Sequence, residues 1–260
     1  MRLNLHEWGD PGSPPLVCVH GVSAHGRRFR KLAEERLARS FRVVAPDLRG
    51  HSGSGWEPPW TIATYLDDVL YTIEDAGIAR AAWVGHSFGG RLVLELAARR
   101  PELIECAVLL DPAIQILPHV GLDFAQEAAR DYSFATVDEA IAARLASGAP
   151  TPRSFVEEEA EEHLVPSPDG RLRWNYCRAA VASVYGELCT DPPPPTVLTM
   201  PAQLVHAEQF GLVREEQLEQ YAAELGERIE IVAVPGGHIV YWDAFEATAD
   251  AVESFLARNA

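Results

Sequence analysis

The chain has 260 residues, 47% of them apolar and 23% charged, with a formal net charge of −16. That length and composition suit one large globular domain with a substantial core and exclude a disordered chain. A surface so acidic repels phosphate backbones and anionic headgroups, so neither nucleic acid nor a membrane is an expected partner.

The N-terminal MRLNLHEWGD lacks the apolar stretch of a signal peptide, and no run approaches the roughly 18 apolar residues of a membrane span. A cytoplasmic protein, monomeric or a homodimer, is expected. Cys18, Cys106, Cys177 and Cys189 are scattered without a C-x-x-C pair, which indicates neither a metal site nor a redox pair. Cys18 and Cys106 sit in apolar runs, where cysteine behaves as a small hydrophobe.

Strand-like apolar runs alternate with segments of helical period. The runs are residues 3–8, 15–20, 41–47, 81–85, 104–111, 202–207 and 229–234; the helical patterns are Phe29 to Arg39, Ala63 to Ala76 with Thr61 as N-cap, Ser87 to Arg100, Glu215 to Leu225 and Ala244 to Ala257. This is the pattern of a largely parallel sheet with crossover helices. From Ala113 to Thr199 the alternation stops. About 85 residues with helical stretches, a turn at PSPDG and a DPPPP spacer are too many for a loop, so residues 113–199 are expected to be a helical cap inserted into a core of 1–112 and 200–260. The acidic run Glu157 to Glu162 reads as a solvated helix face.

Ser87 lies in Gly85-His86-Ser87-Phe88-Gly89, a G-x-S-x-G after a strand and before a helix. A strand turning abruptly into a helix tolerates only small residues two before and two after the serine, and it exposes the hydroxyl at a helix N-terminus. Such a nucleophile needs a base. His238, in the loop after the last strand, reaches the same sheet edge as Ser87. His20 is better explained as support for its turn, and His86 should point away from the serine. His25, His51 and His206 read as ordinary loop or strand residues, and His119 and His163 fall in the insertion. Oxyanion donors are expected at the backbone N–H of Phe88 and of Val22, with Ser23 next in line.

HGVSAHGRRF, DLRGHSGSG, VGHSFGG and PGGH, in that order and spacing, resemble the α/β-hydrolase superfamily. The resemblance implies an α/β-hydrolase fold: a mostly parallel sheet of about eight strands flanked by helices, a helical cap after the sixth strand, and a triad in the order Ser, acid, His. It also implies a serine hydrolase, since the dehalogenase and epoxide-hydrolase branches carry aspartate at the elbow. The chain departs from the family where the acid usually stands, because Ala207-Glu208-Gln209-Phe210-Gly211 places glycine at the aspartate position. Asp111, ending the strand beside the nucleophile strand, is the expected substitute, as in pancreatic-type lipases. Glu208 is the alternative, and Asp243 is expected to cap the last helix.

DLRGHSGSG lacks G-K-[ST] and a following helix, so it reads as a tight loop rather than a phosphate cradle. Trp174, Tyr176, Tyr185, Phe155, Trp60 and Trp242 are candidate apolar walls, with Ser23, Trp174, Tyr185 and Trp242 the expected pocket residues. The expected activity is hydrolysis of a small-molecule carboxylic ester through an acyl-enzyme, with no metal or organic cofactor. Lactonase, thioesterase, C–C bond hydrolase and cofactor-free haloperoxidase share these residues, and a non-catalytic ligand-binding protein is a further alternative.

Overall fold

A computed structural model describes residues 1–146 and 150–260; the expected insertion, 113–199, therefore includes three residues outside the described ones. All seven apolar runs form strands of one sheet: β1 (Leu5–Trp8), β2 (Pro15–Val19), β3 (Arg42–Pro46), β4 (Ala81–His86), β5 (Ile104–Leu110), and, past two short strands described below, β8 (Ala202–Ala207) and β9 (Ile229–Val234). Their spatial order is β1-β3-β2-β4-β5-β8-β9, with β1 antiparallel and every other pairing parallel. Seven strands, rather than the expected eight or so, make up this sheet among the described residues. No further strand-like run remains in the sequence to supply another.

Every residue of β4 is buried, which explains why that segment reads as continuously apolar rather than alternating. The pleat divides the side chains between two cores. Val17, Val19, Ala81 and Trp83 join one, and Leu16, Cys18, Ala82 and Val84 join the other. Helices cover both faces. The segment Gly26–Leu37 winds as a 3₁₀ turn, a short α1 (Arg30–Leu32) and a π turn. α2 (Ile62–Asp75) starts where Thr61 Oγ1 accepts the Thr64 N–H at 3.3 Å. α3 (Phe88–Arg99) follows β4 directly.

Between β5 and β8 lie α4 (Pro118–Ala129), α5 (Val137–Ala146), α6 (Arg153–His163), the antiparallel hairpin β6 (Leu164–Pro166) with β7 (Leu172–Trp174), and α7 (Arg178–Glu187). The PSPDG turn closes the hairpin, with Gly170 at φ +78° and the Ser167 N–H donating to Arg171 O at 2.8 Å. The hairpin is absent from the sequence-based expectation because three-residue strands leave no periodic signal. Arg91 of α3, almost fully buried, ties down both ends of the segment between β5 and β8, the expected insertion: its guanidinium donates to Ile114 O at 2.8 Å, Asp191 O at 2.9 Å and Thr190 Oγ1 at 3.2 Å. α8 (Glu215–Leu225) precedes β9, and α9 (Val240–Asp243) and α10 (Phe245–Asn259) end the chain.

The acidic run on α6 is only partly a solvated face: Glu161 is exposed, but the other glutamates pack against arginines. Glu159 is 5% exposed and accepts a bidentate pair from Arg28, whose Nε lies 3.0 and 2.9 Å from its two oxygens, with His25 Nε2 at 3.3 Å. Glu162 pairs with Arg27 at 2.6 Å and Glu158 with Arg30 at 2.7 Å. The arginines of HGRRFR and the glutamates of EEEAEE are thus the two halves of one seam, 131 residues apart at Arg28 and Glu159. Burial alone would raise the Glu159 pKa, but Arg28 and His25 outweigh it and hold the carboxyl well below the usual range. Removing one partner of such a pair strands the other charge in the interior. Glu159→Ala should therefore cost about 3–5 kcal/mol in urea denaturation, whereas Glu161→Ala, at an exposed position, should stay within about 0.5 kcal/mol. A Glu159→Ala protein as stable as its parent would contradict the seam.

Candidate active site

The parallel register sets His86 of β4 opposite Leu110 of β5, so the chain leaves the sheet side by side at Ser87 and Asp111. Both residues turn sharply, at φ 54° and 38°, in the left-handed region that side chains avoid. Neighbouring bonds hold the serine there. Ser87 N–H donates to Leu110 O at 3.0 Å, and Ser87 O accepts from Ala113 N–H at 3.0 Å and Arg91 N–H at 3.2 Å. The flanking glycines are required by space: a Cβ on Gly85 would sit 2.4 Å from Gly89 O, and one on Gly89 would sit 2.0 Å from Val19 O.

His238 enters from the turn after β9. Its Nε2 is 2.9 Å from Ser87 Oγ and its Nδ1 is 2.6 Å from Asp111 Oδ2. A carboxylate only accepts, so Nδ1 carries the proton and Nε2 is left to accept from the serine hydroxyl. Asp111 is completely buried, and its other oxygen accepts the Ala207 N–H at 3.1 Å. The carboxylate that meets His238 is thus Asp111. Glu208 is exposed on the loop after β8. Phe210 of that loop lays its ring on His238 instead, with centroids 4.8 Å apart and planes at 17°.

Asp243 does not cap the last helix, whose N-cap is Ala244. Its carboxylate folds back to accept the Ile239 N–H at 3.1 Å and the Thr151 hydroxyl at 2.7 Å, tying the His238 turn to the insertion. His20 supports its turn as expected, with Nδ1 donating to Gly21 O at 2.8 Å and Nε2 accepting the Leu48 N–H at 2.9 Å. His86 does not point away from the site. It donates from Nε2 to His238 O at 2.9 Å and lines the same cavity, 4.6 Å from the His238 ring.

The loop carrying Val22 abuts the serine so closely that a Cβ on Gly21 would lie 2.9 Å from Ser87 Cβ. Phe88, the first residue of α3, has one of the four amides that a helix N-terminus leaves without an intrahelical acceptor. DLRGHSGSG is a tight loop: Asp47 accepts from Gly26 N–H at 2.8 Å, Gly53 N–H at 3.2 Å and Asn4 Nδ2 at 2.7 Å.

Above Ser87 opens a cavity of about 710 Å³. Ser23, Trp174, Tyr176 and Tyr185 line it as the sequence suggests, and Val22, expected as an oxyanion donor, lines it too. Trp242 does not: it is buried beneath, donating to Arg28 O at 3.0 Å and stacking on Phe155 at 4.9 Å. Phe155 and Trp60 are likewise absent from the lining. Arg28, Arg144, Phe124 and Phe210, which sequence reasoning missed, do line it. They come from four separate segments, and no local pattern marks them.

A model of the alpha/beta hydrolase family matches residues 16–251, and the chain belongs to that family. Lipase LipV of Mycobacterium tuberculosis is 31% identical over 92% of this chain and 91% of its own length. The 2-(acetamidomethylene)succinate hydrolase of Mesorhizobium japonicum is 30% identical over 98% of this chain and 92% of its own. The solved structure of an E-2-(acetamidomethylene)succinate hydrolase superposes with a TM-score of 0.88 at 26% identity, covering 98% of this chain and 95% of that one. No helix among the described residues is long and apolar enough to cross a membrane.

Four histidines near the site are buried and held neutral. Burial, reinforced by neighbouring imidazoles, keeps His20 and His86 well below the ordinary value of 6.5. Burial likewise pushes His51 down to about 4 and His163 to about 3. Below pH 6.5 the unfolded chain takes up protons that the folded chain refuses, so stability falls as the pH falls. Urea denaturation between pH 7 and 4.5 should show this loss beginning near 6.5, with each such histidine contributing about 1.4 kcal/mol per pH unit. Stability that stays level from pH 6.5 to 5 would mean that these rings ionise in the folded state.

Proposed function

We propose that the protein is a serine hydrolase of carboxylic esters that works through an acyl-enzyme. The observation that carries this reading is the unbroken relay Asp111, His238, Ser87, with contacts of 2.6 and 2.9 Å. As the ester carbonyl arrives, Ser87 Oγ attacks its carbon and passes its proton to His238 Nε2. Asp111 keeps the proton of the resting imidazole on Nδ1 and stabilises the imidazolium that forms. The carbonyl oxygen becomes an oxyanion bound by the backbone N–H groups of Val22 and Phe88, Ser23 being the neighbouring alternative to Val22. Collapse expels the alcohol, protonated by His238, and a water activated by the same histidine releases the acid.

Residues 113–199 act as the cap over this centre, carrying Phe124, Trp174, Tyr176 and Tyr185 into the cavity. Two relatives over most of the chain carry names, a lipase and a succinate-derivative hydrolase, that agree with hydrolysis of a small acyl compound. Lactones, thioesters and carbon–carbon bonds would use the same relay, and a substrate panel separates them from simple esters.

An organophosphonate probe should add once to native protein, at Ser87, and not to heat-unfolded protein, as read by intact mass and peptide mapping. Absence of the adduct from native protein would remove the basis for an activated serine. Asp111→Asn should lower kcat on an activated ester by roughly 10⁴-fold through the wrong imidazole tautomer, and Glu208→Gln should leave it near the parent value. Equal turnover by Asp111→Asn and parent protein would sink the acid assignment.

A further inference from the structure

Two kinds of wall meet above Ser87. Ala113, whose N–H donates to Ser87 O at 3.0 Å, starts an apolar wall that continues through Ile116, Leu188, Tyr185 and Phe124. Ile116 N–H donates to Leu188 O at 2.9 Å, and the Tyr185 ring stacks on Phe124 with centroids 5.2 Å apart and planes at 23°. Leu188 and Ile116 are 1% and 6% exposed, whereas Phe124 is 42% exposed, so the wall runs from a buried inner end near the serine to an open rim. Beside the turn that carries His238 the lining is polar. Asp243 accepts the Ile239 N–H and the Thr151 hydroxyl there, and both side chains line the cavity. The two walls belong to opposite faces of the sheet: Ala113, Ile116 and Leu188 join the core of Val17 and Trp83, and Ile239 joins that of Leu16 and Val84.

Acyl transfer decides which arm of an ester meets which wall. The tetrahedral carbon carries four bonds: to Ser87 Oγ, to the oxyanion, to the leaving oxygen and to the acyl chain. The leaving oxygen must face His238 Nε2, which returns the proton, so the alcohol arm departs on the polar side. The acyl chain takes the remaining direction, on the Ala113 flank of the serine. Hydrocarbon laid against that wall leaves water, and each buried methylene then contributes to binding.

We infer that the wall from Ala113 to Phe124 is an acyl-chain site, so that the preferred substrates are esters of an aliphatic acid with a short alcohol. This rests on the ester-hydrolase reading and adds to it a substrate class and the direction in which the substrate lies. Phe124 carries the test, because it forms the exposed end of the wall and its replacement leaves the buried core alone.

The experiment compares ethyl octanoate with octyl acetate, isomers that contain the same atoms and differ in which arm is long. Acid release in a pH-stat gives kcat/KM for each. The parent protein should favour ethyl octanoate by about tenfold or more, the worth of about two methylenes taken out of water. Phe124→Glu, which puts a charge at the open end of the wall, should lower the ratio of ethyl octanoate to ethyl butyrate about tenfold. Leu122→Glu, exposed on the same helix and outside the lining, should leave that ratio as in the parent. Equal rates on the two isomers, or a preference for octyl acetate, overturn the arm assignment. A ratio unchanged in Phe124→Glu, or lowered as far in Leu122→Glu, overturns the site. If neither isomer turns over, calorimetric titration of octanamide decides it. Binding to the parent that weakens about tenfold in Phe124→Glu supports the acyl-chain site; no binding, or binding that does not weaken, refutes it. Phosphonate labelling reports separately on the hydrolase reading, which fails if Ser87 stays unlabelled.

Discussion

The register of β4 against β5 is the constraint on which the site depends. Pairing His86 with Leu110 makes the next residues, Ser87 and Asp111, leave the sheet together. One imidazole then spans both, 2.9 Å from the hydroxyl and 2.6 Å from the carboxylate. A shift of that pairing by one residue would displace the two side chains by about 3.3 Å along the strands, more than a hydrogen bond tolerates. The buried apolar faces of both strands make such a slip expensive, since it would turn every side chain to the opposite core. Packing energy remote from these contacts thereby fixes the distances from His238 to Ser87 and Asp111.

A second constraint joins the insertion to this frame. Arg91 binds carbonyls at both ends of the insertion, and the Arg28–Glu159 pair fastens α6 to the segment after β2. Both devices bury an arginine whose donors meet oxygen atoms, the arrangement in which a buried cation is tolerable. Arg28 is also a cavity wall, so the group that fastens α6 also lines the cavity above Ser87. Asp243 repeats the theme from the other side by linking Thr151 of the insertion to the turn that carries His238.

The parts legible in the sequence were those written in local pattern. Strand and helix runs follow from periodicity, the elbow from G-x-S-x-G, and Thr61 from its position before an apolar helix. The resemblance to the α/β-hydrolases points to Asp111, because Gly211 stands where that family's aspartate is expected and a second carboxylate ends the adjacent strand; the structure puts it 2.6 Å from His238 Nδ1. What was not legible depends on distant pairings. EEEAEE looks solvated until the arginines of HGRRFR are seen to face it, and Trp242 looks like a wall until the Arg28 carbonyl is seen to hold it below the cavity. Arg144 carries no mark at all on an ordinary helix, and only the cavity gives it a context.

With the carboxylate partner of His238 at the end of β5, the loop after β8 is free for another use. A carboxylate in that loop would rely on a mobile connection for its placement, whereas Asp111 stands at the end of a central strand, fully buried and fixed by the Ala207 N–H. The vacated loop turns through Gly211 at φ +70° and lays Phe210 along the histidine ring. His238 is consequently held at three places: the carboxylate at Nδ1, the aromatic face of Phe210, and its own backbone carbonyl, bonded by His86. A ring held at those points has little freedom left to lose, and that preorganisation is what the proposed general-base role requires. The glycine that breaks the family pattern therefore accompanies a different support for the same imidazole.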